Sequence, residues 1–338
     1  MPVIRGEEIS YTKVRALDPA RTICFQPISA LEVHGPHLPL GMDFYMARWM
    51  AEETGRRFAE AHPDWTVVQM PSLPVGTDEL PLAGSMEVSP WTLYRAVYAY
   101  ARSLVRAGYK YIVVTNGHGG PRHAAGLEFV CQKISKKFGV HMFTPSALSL
   151  HRIISGERME IVEEMLGRKL SDAERTGFLN GEHAGSWETS FMLAQNPELV
   201  EECYRRLPLD SAPPFKPLER LGERLGDLWD KQGRSSHKIR EAFDSLSGGI
   251  GWLLNARYGY GGASVTYNGD PSVASVEMGN IFRDLMVREC LTLVDGVTSG
   301  RMSALEVRSI ASDHPVVRPN FLPRLALAAA VILALIAL

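Results

Sequence analysis

Short apolar runs alternate with helical spacing along the first part of the chain. Four runs rich in β-branched and aromatic residues predict strands at residues 22–28, 65–70, 111–115 and 140–144. The stretches between them predict helices at residues 43–61, 90–107 and 121–138, with Asp43 and Ser89 as the N-caps of the first two. This β-α-β-α-β-α-β order predicts an α/β fold with a mainly parallel sheet, whose ligand sites lie at the carboxyl ends of the strands.

The alternation of predicted strands and helices is less regular after residue 190. A charged segment at residues 215–243 predicts an amphipathic helix with a stripe formed by Leu218, Leu221, Leu225 and Leu228. We interpret this stripe as the face that packs on the domain, in preference to a partner-binding face. A glycine-rich stretch at residues 248–262 precedes a closing helix at residues 270–294. These patterns predict one domain at residues 1–300, with an insert at residues 213–245.

Residues 325–338 contain no polar side chain, and Arg318 and Arg324 precede them. As a helix this stretch is about 21 Å long, against roughly 30 Å for the hydrocarbon core of a bilayer. A C-terminal membrane anchor is one interpretation, and a helix buried against the domain or in an oligomer is the other. In either case residues 301–320 form a linker, and residues 321–338 form the apolar helix.

Composition and charge narrow the function classes. The 338 residues carry a net charge of −2 and no long basic run, so nucleic acid is not an expected partner. The four cysteines are scattered without a C-x-x-C pair, which indicates neither a disulfide framework nor a thiolate zinc site. The first residues lack the apolar core of a signal peptide. We therefore expect a cytoplasmic protein, with membrane attachment through the apolar tail as the alternative.

Polar residues follow the first and third predicted strands. Glu32 and His34 are two residues apart, so in extended backbone they project to the same side, and Asp43 can reach the same point from the next helix. Carboxylates and imidazoles together suit Zn²⁺ or Mn²⁺, although the E-x-H pair alone favours loop hydrogen bonds. His118 follows the third strand within N-G-H-G-G. A phosphate cradle is the rival interpretation there, but no phosphate-binding glycine pattern is present and Pro121 removes a donor.

A third polar segment contains His183 and Glu188. On one helix these residues would lie about 140° apart, so we place His183 in the loop before the helix. Glu188 stands in an otherwise apolar stretch, where a metal ion or a hydrogen-bonded network would explain it, and capping of the helix N-terminus is the alternative. The chain has no G-x-S-x-G elbow and no H-E-x-x-H helix, and it lacks the set in which S-D-N and K-T-G accompany S-x-x-K, which argues against nucleophilic catalysis.

Together these segments resemble the creatininase family, the creatinine amidohydrolases and their relatives. The family pattern E-x-H-G-P-H-L-P-L-x-x-D is matched by residues 32–43, N-G-H-G-G by residues 116–120 and H-A-G-x-x-E-T-S by residues 183–190. Residues 269–275 resemble the family signature G-D-P-S-x-A. The resemblance implies a Rossmann-like α/β sandwich, often hexameric, in which two divalent ions hydrolyse a C–N amide bond. The implied ions are Zn²⁺ or Mn²⁺, with iron as a further candidate.

The same resemblance implies roles for individual residues. Glu32 and His118 would bind one ion, His34 would bind the other, and Asp43 would bridge them. His183 would move a proton from the attacking water to the leaving nitrogen.

Three features depart from the family pattern, and one of them is the charged insert at residues 215–243 together with the apolar tail, which the pattern does not explain. Creatininase proper has a metal-binding Glu two residues after the motif histidine, where this chain has Gly120, so Glu188 is our candidate for completing the second site. The loop at residues 76–85 is shorter and lacks a family histidine, which predicts a differently shaped pocket. We expect a homo-oligomeric amidohydrolase that acts on a small cyclic amide or a formamide. The alternatives are a peptidase that cleaves a peptide precursor and a membrane-tethered binding protein with a degenerate site.

Overall fold

The computed structural model of the chain describes residues 3–154, 156–179, 183–211, 213–231, 233, 235–237, 240, 243–244, 247–248, 250–251, 254–255 and 266–309. Its strands are β1 (Ile4–Arg5), β2 (Thr22–Ser29), β3 (Thr66–Gln69), β4 (Leu73–Pro74), β5 (Tyr111–Thr115) and β6 (His141–Phe143). They form a parallel sheet in the order β1-β3-β2-β5-β6, with β4 paired to β2. The four predicted strands are confirmed, and the two-residue strands β1 and β4 are additions.

The α-helices with described bounds are α1 (Tyr11–Ala16), α2 (Met42–Ala61), α3 (Pro90–Ala107), α4 (Pro121–Phe138), α5 (Ser146–Ile154), α6 (Met159–Leu166), α7 (Asp172–Leu179), α8 (Ser186–Gln195), α9 (Lys216–Asp230) and α10 (Val276–Thr298). The predicted cap of α3 is confirmed, because the Ser89 hydroxyl accepts the Thr92 amide at 3.1 Å. The predicted cap of α2 is wrong. Gly41 occupies the N-cap position, and the Asp43 side chain is buried within the first turn and points away from the orphan amides.

Apolar side chains cover both faces of the sheet, as expected for parallel strands. Ile23, Phe25 and Val113 pack in one cluster with residues of α2 and α10. Cys24 and Ile112 pack in a second cluster with residues of α3 and α4. Successive strand residues therefore face opposite helical layers, and the fold is an α/β sandwich with its sheet in the middle.

Helix α9 packs differently from the prediction. Leu221, Leu225 and Leu228 are 44%, 37% and 56% exposed, whereas Gly222 and Gly226 are buried. A Cβ atom at Gly226 would lie 2.6 Å from Cζ of Arg240, and one at Gly222 would overlap the Phe243 side chain. The leucine stripe is therefore not the packing face. The helix approaches its neighbours through two glycines one turn apart, because only they leave room for these side chains.

The described part of the predicted linker packs against the domain. Ala304 and Val307 are buried in the cluster that includes Ile23 and Phe25, and the Ser309 amide bonds to Glu128 at 2.8 Å. The folded unit thus extends to residue 309. Among the described residues, no helix combines the length and apolarity needed to cross a membrane. The apolar run at residues 325–338, on which the anchor prediction rests, lies outside the described residues.

Candidate metal centre

The candidate site lies where the loops after β2 and β5 meet. β5 pairs with one side of β2 and β3 with the other, so these loops leave the sheet at a topological switch point. The Ser29 hydroxyl at the end of β2 donates to Oδ1 of Asn116 at 3.0 Å. A Cβ atom at Gly117 would overlap the backbone of Asp43, so glycine is needed where this loop passes α2. Both motif loops and the start of α2 therefore converge.

One set of three buried side chains contains Glu32, Asp43 and His118. Nδ1 of His118 lies 3.1 Å from Oε2 of Glu32 and 3.0 Å from Oδ2 of Asp43. The three potential ligand atoms lie within 4.8 Å of one another. We call this group the first triad.

A second triad shares Asp43. Nε2 of His34 lies 3.2 Å from Oδ1 of Asp43 and 3.4 Å from Oε2 of Glu188. These three ligand atoms also lie within 4.8 Å of one another. Asp43 thus directs one carboxylate oxygen into each triad, which is the geometry of a bridging ligand.

Backbone groups orient these side chains from outside. Nδ1 of His34 lies 3.0 Å from the Glu32 carbonyl oxygen, and Nε2 of His118 lies 3.1 Å from the Thr77 carbonyl oxygen. Because a carbonyl oxygen only accepts, each ring nitrogen named here carries the proton, and the opposite nitrogen faces its triad. This arrangement is the usual outer support of metal-binding histidines.

The residues of both triads fit divalent cations. Oε2 of Glu32, Nε2 of His34 and both carboxylate oxygens of Asp43 are buried and form no hydrogen bond. Buried polar atoms are normally paired, because isolating them from water is costly. Carboxylate and imidazole ligands suit Zn²⁺ and Mn²⁺, and a bound ion would supply the partner that these atoms lack.

Burial and neighbouring charges shift the pKa values of the site in opposite directions. Burial alone would raise the pKa of Asp43, but His34 and His118 outweigh it and hold this pKa well below its ordinary value. Burial opposes the charge of His34, yet the carboxylates of Asp43 and Glu188 raise its pKa to about 10. Burial raises the pKa of Glu188 to about 7 despite the nearby His34. Protons and cations are therefore alternative ways to hold these acidic groups together.

His183 lies beside the second triad, in the loop before α8 as predicted. Its ring centroid is 4.4 Å from that of His34, and its Nε2 donates to the Val33 carbonyl at 2.8 Å. Burial, reinforced by His34, lowers the pKa of His183 to about 4. The ring is therefore neutral near pH 7, with Nδ1 as its acceptor nitrogen.

The position of Glu188 suits both of the roles considered for it. It lies in the first turn of α8, and its Oε2 accepts the Ala184 amide at 2.6 Å, as a residue near a helix N-terminus does. The same oxygen faces His34. The capping alternative and the ligand prediction are thus compatible in this structure.

Gly120 stands against the loop at residues 76–85. A Cβ atom at Gly120 would lie 2.8 Å from Cβ of Asp78 and 2.9 Å from the Thr77 carbonyl oxygen. The same Cβ atom would overlap Nε2 of His118, so the His118 ring and the loop together fill the space into which a side chain at position 120 would project. Asp78 also lines a cavity of about 150 Å³ next to the triads. The apolar residues that line this cavity are Met46, Leu150, Trp187 and Phe282.

The residues that support the triads from outside were not among those predicted from the sequence. His37 belongs to the first motif, and its histidine identity was the available signal. Thr77 and Leu80 act through backbone groups, and Asp78 pairs with Arg122 across 44 positions, so no local pattern indicates these contacts.

Comparisons with known proteins identify the family and the fold. A family model described as Creatininase: Creatinine amidohydrolase matches residues 7–294. A creatinine amidohydrolase candidate from Bacteroides fragilis NCTC 9343 has 18% identity and a TM-score of 0.58, over 87% of this chain and 96% of that chain. A creatininase structure described with Mn has 19% identity and a TM-score of 0.55, and the match covers 87% of this chain and 98% of that chain. A mutant creatininase of Zn–Zn type has 18% identity and a TM-score of 0.54, and the match covers 87% of this chain and 98% of that chain. The comparison with curated proteins gave no significant match.

Proposed function

This chain belongs to the creatininase family, and we propose on that basis that it is a metal-dependent amidohydrolase acting on a small cyclic amide or a formamide. The observation that carries the proposal is the position of Asp43, which directs one oxygen toward His118 and the other toward His34. A shared carboxylate between two buried triads is what a binuclear centre requires. Glu188 would complete the second triad with His34 and Asp43.

Different sets of residues in the site would bind the two metal ions. Glu32, Asp43 and His118 would hold one ion, and His34, Asp43 and Glu188 the other. Two divalent ions, Zn²⁺ or Mn²⁺ with iron as a third candidate, supply Lewis-acid polarisation and a nucleophilic water at neutral pH when bound.

His183 would transfer the proton. Because its ring is neutral near pH 7, it can accept a proton from the attacking water and deliver it to the nitrogen as the C–N bond breaks. The hydroxide then remains on the carbonyl carbon, so the products are a carboxylic acid and an amine. In a cyclic amide both groups stay on one opened molecule.

The shape of the cavity supports a small substrate. Its volume of about 150 Å³ suits a compact ring or a formyl group, and Met46, Leu150, Trp187 and Phe282 give it one apolar side. The neighbouring triads provide the polar side. An amide carbonyl directed at the triads would place the remainder of the substrate against the apolar side chains.

The test combines metal analysis with turnover. The full chain is purified without chelator, its divalent ions are measured by elemental analysis, and hydrolysis of creatinine, lactams, N-formyl compounds and short peptides is followed. We expect about two ions per chain and turnover of a cyclic amide or formamide, both lost in Asp43→Asn. Asp64→Asn changes an exposed carboxylate and serves as the matched control.

Other outcomes would contradict the proposal. Turnover of peptides alone would support the peptidase alternative. No metal binding, even after addition of Zn²⁺ or Mn²⁺, together with no turnover would support a non-catalytic binding protein. Homo-oligomeric assembly stays a prediction, and light scattering on the same preparation tests it.

A further inference from the structure

The segment 77–80, which we call the outer loop, contacts two members of the first triad through its backbone. The Thr77 carbonyl accepts the Nε2 proton of His118 at 3.1 Å. The Leu80 amide donates to Oε1 of Glu32 at 2.5 Å. Each contact engages the atom of the ligand that faces away from Asp43. The other ligand atoms, Nδ1 of His118 and Oε2 of Glu32, are thereby directed into the triad.

The outer loop has an unusual conformation at Asp78. Its φ is +76°, in the left-handed region that non-glycine residues seldom adopt. Such a conformation persists only where the surroundings hold it, and it is often found at functional sites. Specific contacts must therefore hold Asp78 in this conformation.

Arg122 supplies those contacts. Its backbone amide donates to Oδ2 of Asp78 at 2.6 Å, and its Nε donates to Oδ1. The Asp78 side chain is only 5% exposed, whereas that of Arg122 is 53% exposed. Arg122 is the second residue of α4, which starts three positions after His118. The ion pair thus ties the outer loop to the segment that carries a triad histidine.

Gly120 completes the arrangement. The outer loop approaches so closely that Asp78 and Thr77 occupy the space beside Gly120. A side chain at position 120 and this position of the outer loop exclude each other. The glycine at position 120 and the close approach of the outer loop therefore depend on each other.

We propose that Asp78 and Arg122 are positioning residues for the first triad, because their ion pair holds the Thr77 carbonyl and the Leu80 amide against His118 and Glu32. The inference rests on the proposed metal-dependent function, and it assigns the outer loop the support of one metal site. Removing such outer support typically weakens metal binding by about 10- to 100-fold. The expected effect is selective, since both backbone contacts engage the first triad.

The experiment measures Zn²⁺ binding to each triad separately. Glu188→Gln leaves the first triad intact, and Glu32→Gln leaves the second intact. Arg122→Ala is added to each background in the full chain, and Zn²⁺ affinity of the chelator-treated protein is measured by competition with a chromogenic chelator. We expect Arg122→Ala to weaken binding about 10- to 100-fold in the Glu188→Gln background, and less than about threefold in the Glu32→Gln background.

Two further variants keep the result interpretable. Asp78→Gly removes the carboxylate while accepting the positive φ, and it should weaken the same site. Arg168→Ala removes another half-exposed arginine that pairs with a carboxylate, and it should leave both affinities unchanged. Thermal unfolding of the metal-free variants shows whether each one is folded.

The failures are distinguishable. Equal weakening of both triads, or unchanged binding in Arg122→Ala and Asp78→Gly, would overturn the positioning role and leave the proposed function intact. A wild-type chain that binds no Zn²⁺ would overturn both.

Discussion

Nε2 of His37 lies 2.8 Å from Oγ1 of Thr189. Both side chains are fully buried, and they come from different parts of the chain. His37 belongs to the loop that carries His34, whereas Thr189 follows Glu188 on α8. Their hydrogen bond therefore links the two segments that supply the second triad.

Replacing Thr189 by Val tests this link. The substitution keeps the side-chain shape but leaves the buried His37 nitrogen without its partner, which costs about 1–3 kcal/mol. We expect the free energy of unfolding of the metal-free chain to fall by that amount in a urea titration, and Zn²⁺ binding at the second triad to weaken. Thr292→Val, which removes an exposed hydroxyl, is the control. Equal effects of the two variants would show that the link is unimportant.

Removing one carboxylate from each triad should remove one ion. Of the two triads that share Asp43, Glu32 belongs to the one with His118 and Glu188 to the one with His34, although Glu32 also lies within ligand distance of His34 and His183. Because each substitution leaves the other triad complete, Glu32→Gln and Glu188→Gln should each retain about one ion per chain. Elemental analysis of the purified proteins checks this, with the exposed Glu60→Gln as control. Loss of both ions in either variant would argue against separable sites.

His183 should affect turnover without affecting metal content. Glutamine at this position cannot shuttle a proton, and loss of general acid–base catalysis typically lowers kcat by about 10²- to 10⁴-fold. We expect that decrease in His183→Gln, with the metal content of the wild type. His141→Gln changes an exposed histidine stacked on Tyr111 and should leave kcat unaltered. A fall in metal content parallel to activity would instead identify His183 as a ligand.

The strands and the proximity of the two motif loops were predictable for the same physical reason, whereas the grouping of the ligands into triads was implied by the family resemblance. A parallel sheet buried on both faces requires continuous apolar runs, which made β2 and β5 visible. Polar residues directly after such strands must meet at one edge, so Glu32 and His118 could be placed together before any coordinates.

The remaining features depend on contacts that leave no local pattern. The amphipathic spacing of α9 indicated a helix but gave the wrong packing face, because Gly222 and Gly226 allow a closer approach than the leucines do. The cap assigned to Asp43 was wrong because its side chain is directed into the site. The pairing of Asp78 with Arg122 depends on the shape of a loop, which the sequence alone does not specify.

Two adjacent glycines offer a matched comparison. A Cβ atom at Gly119 would meet nothing within 4 Å, whereas one at Gly120 would lie 2.8 Å from Cβ of Asp78. Gly120→Ala should therefore destabilise the chain by about 1–3 kcal/mol, as overpacking does, and should weaken Zn²⁺ binding. Gly119→Ala should change stability by less than about 1 kcal/mol. Urea titrations of the two metal-free variants measure these changes in stability. Identical unfolding midpoints of Gly119→Ala and Gly120→Ala would contradict the crowding at Gly120.

Glu174 makes stability depend on pH at a place remote from the triads. Its Oε2 accepts the amide and hydroxyl of Ser171 at 2.8 Å and 2.9 Å, and Arg168 pairs with it. Arg168, with help from Ser171 and against the effect of burial, lowers the pKa of Glu174 from 4.5 to about 2. These contacts begin α7, whose Phe178 carbonyl accepts the Trp187 indole proton at 3.3 Å.

The sign of the pH effect follows from this lowered pKa. A carboxyl group with a lower pKa in the folded than in the unfolded chain stabilises the fold above about pH 4.5, and this contribution is lost as the pH falls toward 2. Glu174→Gln should therefore lower the free energy of unfolding by about 0.5–1 kcal/mol at pH 7, with a smaller difference at pH 3. Urea titrations at both values measure it, beside the exposed Glu160→Gln as control. A difference that is equal at both pH values would mean that the charge of Glu174 does not stabilise α7, since the glutamine can still accept the Ser171 hydrogen bonds at either pH.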